Sequence, residues 1–495
     1  VAAVDDRPFP PGAYDVVVVG SGPGGLQTSY CLTRLGVDHA VLSRDGAPGG
    51  MFQRFPLFQR LITWTKPDAP VDKKTREYEW YDHNSLVADE PDLRALVPKG
   101  MNRDYDLPSR EEMLRGLAEF AERARIAVRY GCTWEATRRE RDEIVLQTSD
   151  GEYRCRSVVF AIGITEPWIA PVPGLDQATH YVDVKDASAY ENRRVFVVGK
   201  RNSGFEVAQA LLPWARQIVL ASPSPVQTKA LALSPLRVRY LHPYDEYARG
   251  GPGTYVLDAA IDRVETSADG YRVFVAGTTW EGDLVFDMDD VIAATGFRAP
   301  LQDLPELGVA TVSDGRVPAL TPFWESLTVP GIFFAGNATQ GARGLGKRGL
   351  GASSSAVNGF RYNARVLANH LAERLGKPVA RVRLPAREVV PFLLHELSHA
   401  PELWIQKGYL ARVMTFADGS NDHGFMPVSH FLDTTVPDAI AATIEVDETG
   451  VIYPILYLRK SGEVEEHPLP PHPLHVYENG SYREQVEAIL RQRTA

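Results

Sequence analysis

Three glycines, Gly20, Gly22 and Gly25, stand at the spacing G-x-G-x-x-G, a pattern suited to holding a pyrophosphate. The first permits a tight turn and the second lets phosphate oxygens approach the backbone. The third lets a following helix pack against the preceding strand. Pro23 and Gly24 complete the turn. Before it, Val16–Val19 is continuously apolar, as a parallel strand covered on both faces should be. After it, a helix is expected from about Leu26 to Leu35, its first N–H groups and its dipole facing the phosphates. The plain alternative is a glycine turn that binds nothing. In such a unit an acid near the end of the second strand, Val37–Leu42, would hold the adenosine ribose. Here that place holds Ser43, with Arg44 and Asp45 following. A serine hydroxyl binds a ribose more weakly than a carboxylate does, and Asp45 could substitute.

The device recurs at Arg194–Val198, followed by Gly199, Lys200, Arg201, Asn202, Ser203 and Gly204 and then by a helix over Phe205–Trp214. Its middle glycine is Arg201. An arginine cannot give the same backbone approach, but its forked cation can meet a phosphate. The next strand, Gln217–Ala221, ends in Ser222-Pro223-Ser224 without an acid. An acid there would repel a 2′-phosphate, so its absence, with Lys200 and Arg201 near, favours NADPH over NADH. Solvated surface cations are the competing account.

The elements between and after these turns must position them. Gly49-Gly50 opens an aromatic, basic, irregular stretch from Met51 to Lys66, where Gly50 and Met51 would let backbone approach a flat ring. The stretch to Leu107 reads as a long excursion over a site. Ser109 and Glu112 form a capping box for a helix running to about Ala124. Buried strands then end in glycine at Ala161-Ile162-Gly163, at Ala294-Thr295-Gly296 and at Gly336-Asn337. Pro167–Pro173 marks a crossover. A glycine-rich basic loop, Gly341–Gly349, precedes Ser353-Ser354-Ser355 and a helix over Ala356–Leu375. That helix N-terminus is a second place for partial negative charge. Lys377-Pro378 reads as a linker, and Val379–Ala495 differs in character from both nucleotide blocks.

At 495 residues the chain is too long for one core. A net charge of −10 argues against nucleic acid and anionic membrane surfaces as partners. No apolar run is long enough to span a bilayer. Cys31, Cys132 and Cys155 are far apart and include no C-x-x-C, which excludes a local redox dithiol.

Two nucleotide turns, with Gly163, Thr295-Gly296 and Gly336-Asn337 disposed around them, resemble the two-dinucleotide-domain flavoproteins. Within that superfamily the chain resembles flavin-containing monooxygenases. It is more similar still to endoplasmic-reticulum flavoproteins associated with degradation and their bacterial relatives. Asn84-Ser85-Leu86, Asn202–Glu206 and the tail Glu402–Tyr409 carry that likeness. The resemblance implies an α/β fold, with an FAD-binding Rossmann-like domain (1–168 and 290–376), an inserted NAD(P)H-binding Rossmann-like domain (169–289) and a C-terminal α+β extension (377–495). FAD would lie on the first turn with Gly163, Gly336 and Asn337. The nicotinamide cofactor would lie on the second with Glu206, Thr295 and Gly296. The family often has Asp where Asn337 stands, and an amide can still bond a ribityl hydroxyl. Its fingerprint of Phe, Gly and His before the second turn is incomplete here: Gly174 and His180 stand at altered spacing with no leading Phe.

The implied reaction is NAD(P)H-dependent oxygenation of a small molecule by O2 through a flavin C4a-hydroperoxide, at nitrogen, at sulfur or beside a carbonyl. Arg54, Lys66 and Asn84 are candidate donors to a peroxide anion. Two alternatives stay open: a reductase of a disulfide or quinone lacking its own C-x-x-C, and a non-catalytic flavin-bound partner of other proteins. Secretory relatives carry a leader and a retention tail. This sequence has neither, so a bacterial cytoplasmic protein is expected, with homo-oligomerisation left open.

His395-Glu396-Leu397-Ser398-His399 matches the zinc-peptidase pattern H-E-x-x-H. Glu402 and Ile405 stand where the extended pattern wants Gly and His, and Pro401 should end the helix. No metal is expected there, although His423 and His430 could complete a ligand set.

Overall fold

The computed structural model describes residues 6–226, 238–244, 253–342, 352–434 and 438–492. The chain forms two compact units. The first comprises residues up to Phe55, Thr63–Ile164 and Ala299 onward. The second comprises Pro56–Ile62 and Thr165–Arg298.

The first unit is built on the strand Gly12–Val19. Val16, Val17 and Val18 are wholly buried because His39–Ser43 and Gly151–Phe160 flank this strand in parallel and side chains cover both faces. The sheet runs in the order 129–130, 39–43, 12–19, 151–160, 143–148 and 134–140, and Ile332–Phe334 adds in parallel beside 151–160. The helix Pro23–Arg34 follows the first strand and contacts the helix Val357–Arg374. The expected capping box is present. Ser109 Oγ accepts from the Glu112 N–H at 3.2 Å, and the Ser109 N–H donates to Glu112 Oε2 at 2.6 Å. It opens the helix Arg110–Arg123 and contributes on the order of 1 kcal/mol.

The excursion through residues 63–107 holds only short helical turns, at Arg76–Trp80, Pro91–Leu93 and Leu96–Lys99. Arg361, on the helix Val357–Arg374, anchors it from beneath. Its buried guanidinium donates to the carbonyls of Asp82 (2.8 Å), Ser85 (2.7 Å) and Glu79 (3.2 Å). Irregular backbone has no ladder of its own, so one planar five-donor side chain satisfies three of its carbonyls at once.

The remainder of the first unit contains a six-stranded antiparallel sheet ordered 382–384, 420–427, 410–415, 439–446, 452–460 and 463–468. Ala439–Val446 is buried along its whole length because apolar side chains pack against both faces. Leu393, Leu397 and Trp404 join the core on one face, with Val486 and Ile489 of the helix Gly480–Gln492. Val428 and Phe431 join the core on the other.

In the second unit five strands run parallel in the order 254–267, 217–222, 194–198, 290–293 and 179–180. An antiparallel pair, 270–277 and 283–288, extends one edge. Both units therefore carry a Rossmann-type sheet, with a helix after the strand Gly12–Val19 in one and after Arg194–Val198 in the other. None of the described helices is long and apolar enough to cross a membrane.

Candidate functional site

Gly20 follows its strand at φ +117°, and a Cβ there would lie 2.4 Å from the carbonyl oxygen of Ala161. A Cβ on Gly25 would lie 1.9 Å from the carbonyl oxygen of Gly20, and one on Gly24 would lie 2.5 Å from the backbone of Gly336. These three glycines are required by the fold alone. Gly22 is different. Its φ is −72°, and a Cβ there would meet nothing nearer than Gly50 Cα at 3.6 Å, an ordinary contact. Packing gives no reason for glycine at position 22, so the fold leaves room where a bound phosphate would approach. No side chain caps the helix Pro23–Arg34, and its first turn carries no acid. Its leading N–H groups are thus suited to an anion.

Two distant segments join this turn. Gly50, at φ +55°, faces Gly22 across backbone, and Gly336, at φ +72°, faces Gly24. Asn337 Nδ2 reaches Met51 Sδ at 3.8 Å, a weak sulfur contact that links these two segments. Gly163 adopts φ +75° beyond the end of the adjacent strand. Ser43 is placed differently from its expected role. It is buried, its hydroxyl lies 2.8 Å from that of Ser21, and it also accepts from the Asp45 N–H at 3.2 Å. It therefore ties the strand end to the glycine turn. Arg44 is exposed, and burial raises the pKa of the neighbouring Asp45 carboxyl.

The second turn reproduces the first. Gly199 stands at φ +120°, and a Cβ there would lie 2.5 Å from the Ala294 carbonyl oxygen. A Cβ on Gly204 would lie 2.1 Å from the carbonyl oxygen of Gly199. Only the middle position departs. Exposed Arg201 caps the helix Asn202–Leu211 in extended backbone, so Asn202 and Ser203 form the helix's first turn. The two cations expected near a phosphate differ in setting, since Arg201 is exposed and Lys200 is not. Lys200 is buried and ion-paired to Asp258. Asp258 lies in register with Ser222 on the adjoining parallel strand and also accepts from Thr279 Oγ1 at 3.1 Å. An acid does stand beside the end of Gln217–Ser222, supplied by the neighbouring strand.

Other residues expected at this second turn have internal partners. Buried Glu206 accepts from the Phe58 N–H at 2.8 Å and from the Tyr181 hydroxyl at 2.8 Å. Burial raises its pKa. It latches the segment Pro56–Ile62 within its own unit. Thr295 Oγ1 donates to the Trp168 carbonyl at 2.6 Å. Gly296, at φ +101°, accepts from the Trp168 N–H at 3.0 Å. His180 lies 3.1 Å from the same carbonyl through Nε2, while its Nδ1 accepts from the Val182 N–H, which fixes a neutral tautomer. Burial lowers its pKa. It braces the crossover.

The three candidate donors divide. Arg54 and Lys66 are exposed, and Lys66 Nζ lies 6.0 Å from the Tyr81 ring centre. Asn84 is wholly buried. Its amide donates to the Thr63 carbonyl (3.0 Å) and to Thr65 Oγ1 (2.9 Å), while its oxygen accepts from Thr63 Oγ1 (2.7 Å). Both of its N–H groups are engaged, so in this conformation it organises the loop instead of offering a donor outward. The basic loop from Arg343 to Gly349 lies outside the described residues.

Residues 17–336 match the family model described as pyridine nucleotide-disulphide oxidoreductase. The chain belongs to the pyridine nucleotide-disulphide oxidoreductase family. This family match spans both glycine turns and ends at Gly336, which packs on the first. A relative from Danio rerio, FAD-dependent oxidoreductase domain-containing protein 2, is 31% identical over 222 residues. These are 43% of this chain and 31% of the relative. The chain thus spans about a third of that relative's length. The flavin-containing monooxygenase FMO GS-OX3 of Arabidopsis thaliana is 24% identical over 363 residues, covering 66% of this chain and 69% of the relative. Two solved structures share the fold with a TM-score of 0.56 each. One is a flavin-containing monooxygenase from Stenotrophomonas maltophilia (19% identity, 74% of this chain and 99% of that one). The other is the bacillithiol disulfide reductase Bdr from Staphylococcus aureus (15% identity, 73% and 99%).

Arg361 and Asp258 escape motif reading. Neither lies in a glycine turn, and each acquires its role from an element distant in sequence. An acid in the strand that follows the second dinucleotide unit is the only signal that could have pointed to Asp258.

Proposed function

We propose that this chain is an FAD-dependent, NAD(P)H-consuming oxidoreductase that oxygenates a small molecule with O2. The observation that carries the reading is the pair of glycine turns with the same steric logic, together with the state of the thiols. Cys31, Cys132 and Cys155 are all buried and unbridged, and burial raises the pKa of each. A protonated, buried thiol is a poor nucleophile toward a disulfide, so electrons have no thiol relay of this chain to follow.

In this reading the first turn holds the FAD pyrophosphate. Gly22 leaves room for it, and the N–H groups of the helix Pro23–Arg34 bind it. Gly50, Met51, Gly336 and Asn337 line the continuation of that cradle. FAD supplies hydride acceptance and, once reduced, reaction with O2. At the second turn the exposed Arg201 offers a forked cation to a nicotinamide dinucleotide's phosphates, and Asn202 and Ser203 present the helix N-terminus. Asp258 neutralises Lys200, so preference for NADPH rests on Arg201. In this reading exposed Arg54 and Lys66 donate to negative charge developing on oxygen.

The test is a coupled assay. NADPH-driven O2 uptake is measured with amine, sulfide and ketone panels, and products are screened by mass for one added oxygen atom. Substrate-dependent uptake with such a product supports oxygenation. NADPH oxidation that proceeds anaerobically with an added low-molecular-weight disulfide or quinone, and yields no oxygenated product in air, favours the reductase reading.

A further inference from the structure

The H-E-x-x-H stretch plays no part in the proposed flavin reaction, and the structure separates its members. Glu396 turns inward. Its side chain is 3% exposed and is held by Arg76 at 2.8 Å and Arg412 at 3.4 Å. It is unavailable as the general base of a metallopeptidase. His395 and His399 lie one turn apart on the outer face of the helix Ala386–His399, with ring centres 4.7 Å apart. Both converge on one carboxylate from a remote part of the chain. His395 Nδ1 lies 2.9 Å from Glu478 Oε1, and His399 Nε2 lies 2.8 Å from Glu478 Oε2. Glu478 is delivered there by its neighbour, since the Tyr477 N–H donates to Ser398 Oγ at 2.9 Å.

We propose that His395, His399 and Glu478 bind one divalent transition-metal ion of the zinc class, fastening the approach to the helix Gly480–Gln492 onto the helix Ala386–His399. The three ligand atoms lie within 4.8 Å of one another. Two imidazoles and a carboxylate are a donor set that suits Zn2+, with water as the fourth ligand. Tetrahedral zinc with bonds of about 2.0–2.1 Å spaces its ligand atoms about 3.3 Å apart. The two contacts to the carboxylate, 2.9 and 2.8 Å, widen by about half an ångström to reach that spacing. Each ring nitrogen is already in hydrogen-bond contact with a carboxylate oxygen, so one cation can take the place of these two contacts. The side chains are 50%, 44% and 40% exposed, which gives an ion a path in and leaves room for water. With Glu396 locked away, the site is structural and has no hydrolytic role. It was not expected from the sequence, in which Glu478 stands 79 residues beyond His399.

The test uses the full chain, free of any histidine tag and stripped with chelator. Calorimetric titration with Zn2+ is expected to show one ion per chain and a raised Tm. Co2+ is expected to give the visible absorption of a tetrahedral site. His399→Gln and Glu478→Gln are each expected to weaken Zn2+ binding at least about tenfold. Flavin content reports whether the variants fold, and both substitutions are at exposed side chains. Absence of Zn2+ binding overturns the proposal. So does Zn2+ binding of equal affinity in the wild type and in His395→Gln/His399→Gln.

Discussion

The ammonium of Lys200 is neutralised by the carboxylate of Asp258, which reaches it from the strand Thr254–Ser267, two strands along the sheet from the one that leads into the lysine's glycine turn. A cation beside a proposed nucleotide site is thereby cancelled, and an acid is kept from acting alone. Asp258→Asn should release Lys200 and raise the ratio of kcat/KM for NADPH over NADH about tenfold, the effect of one unscreened charge worth roughly 1.4 kcal/mol. Lys200→Met should move the ratio the other way. Stopped-flow reduction with each nicotinamide measures both. Each variant also leaves a charge or polar group without its partner, so a loss of about 3 kcal/mol in urea unfolding is expected.

Gly22 and Gly25 belong to one motif and should respond oppositely. Gly22→Ala adds a methyl at ordinary contact distance, so thermal unfolding of the flavin-free protein should change by less than about 1 kcal/mol while flavin content falls. Gly25→Ala places a methyl 1.9 Å from a carbonyl oxygen and should prevent folding outright. A Gly22→Val protein that purifies fully yellow would refute the assignment of that position to phosphate.

Acid sensitivity should trace in part to His370. Its ring stacks on Phe323 with centres 4.1 Å apart, and His430 meets the same phenyl edge-on. Burial first, then Arg374 and His430, lower its pKa to about 4. Between that value and the unfolded value near 6.5, the unfolded chain binds the extra proton. Stability therefore falls as pH drops through this window. Allowing for the ring's partial exposure, the loss attributable to it is about 1–2 kcal/mol. Urea midpoints measured from pH 7 to 4 should fall less steeply in His370→Gln.

The thiols should be chemically silent. A thiol-reactive dye should label less than one cysteine per native chain and all three after denaturation. Replacing Cys31, Cys132 and Cys155 by alanine should cost stability, about 1 kcal/mol each, yet leave NADPH oxidation intact. Loss of that oxidation in a folded triple variant would restore the thiol-relay reading.

Local chemistry was legible in the residues themselves. Gly25 and Gly204 could be read because each would clash within its own turn, against the carbonyls of Gly20 and Gly199, and Gly20 and Gly199 because each turn needs a positive φ there. The capping box at Ser109 and Glu112 is local in the same way, and the buried strands could be read from unbroken apolar runs. The sequence also excluded a local C-x-x-C dithiol, since no two cysteines are near neighbours in the chain. Tertiary structure decided what each polar side chain has left to offer. Ser43 is bound to Ser21, Asn84 to Thr63 and Thr65, Glu206 to Phe58 and Tyr181, and Lys200 to Asp258. Type and spacing do not encode these pairings, because a buried polar group must find a partner and the partner comes from whichever element packs alongside. For the same reason His395 and His399 could be seen together in the sequence, while the carboxylate between them could not.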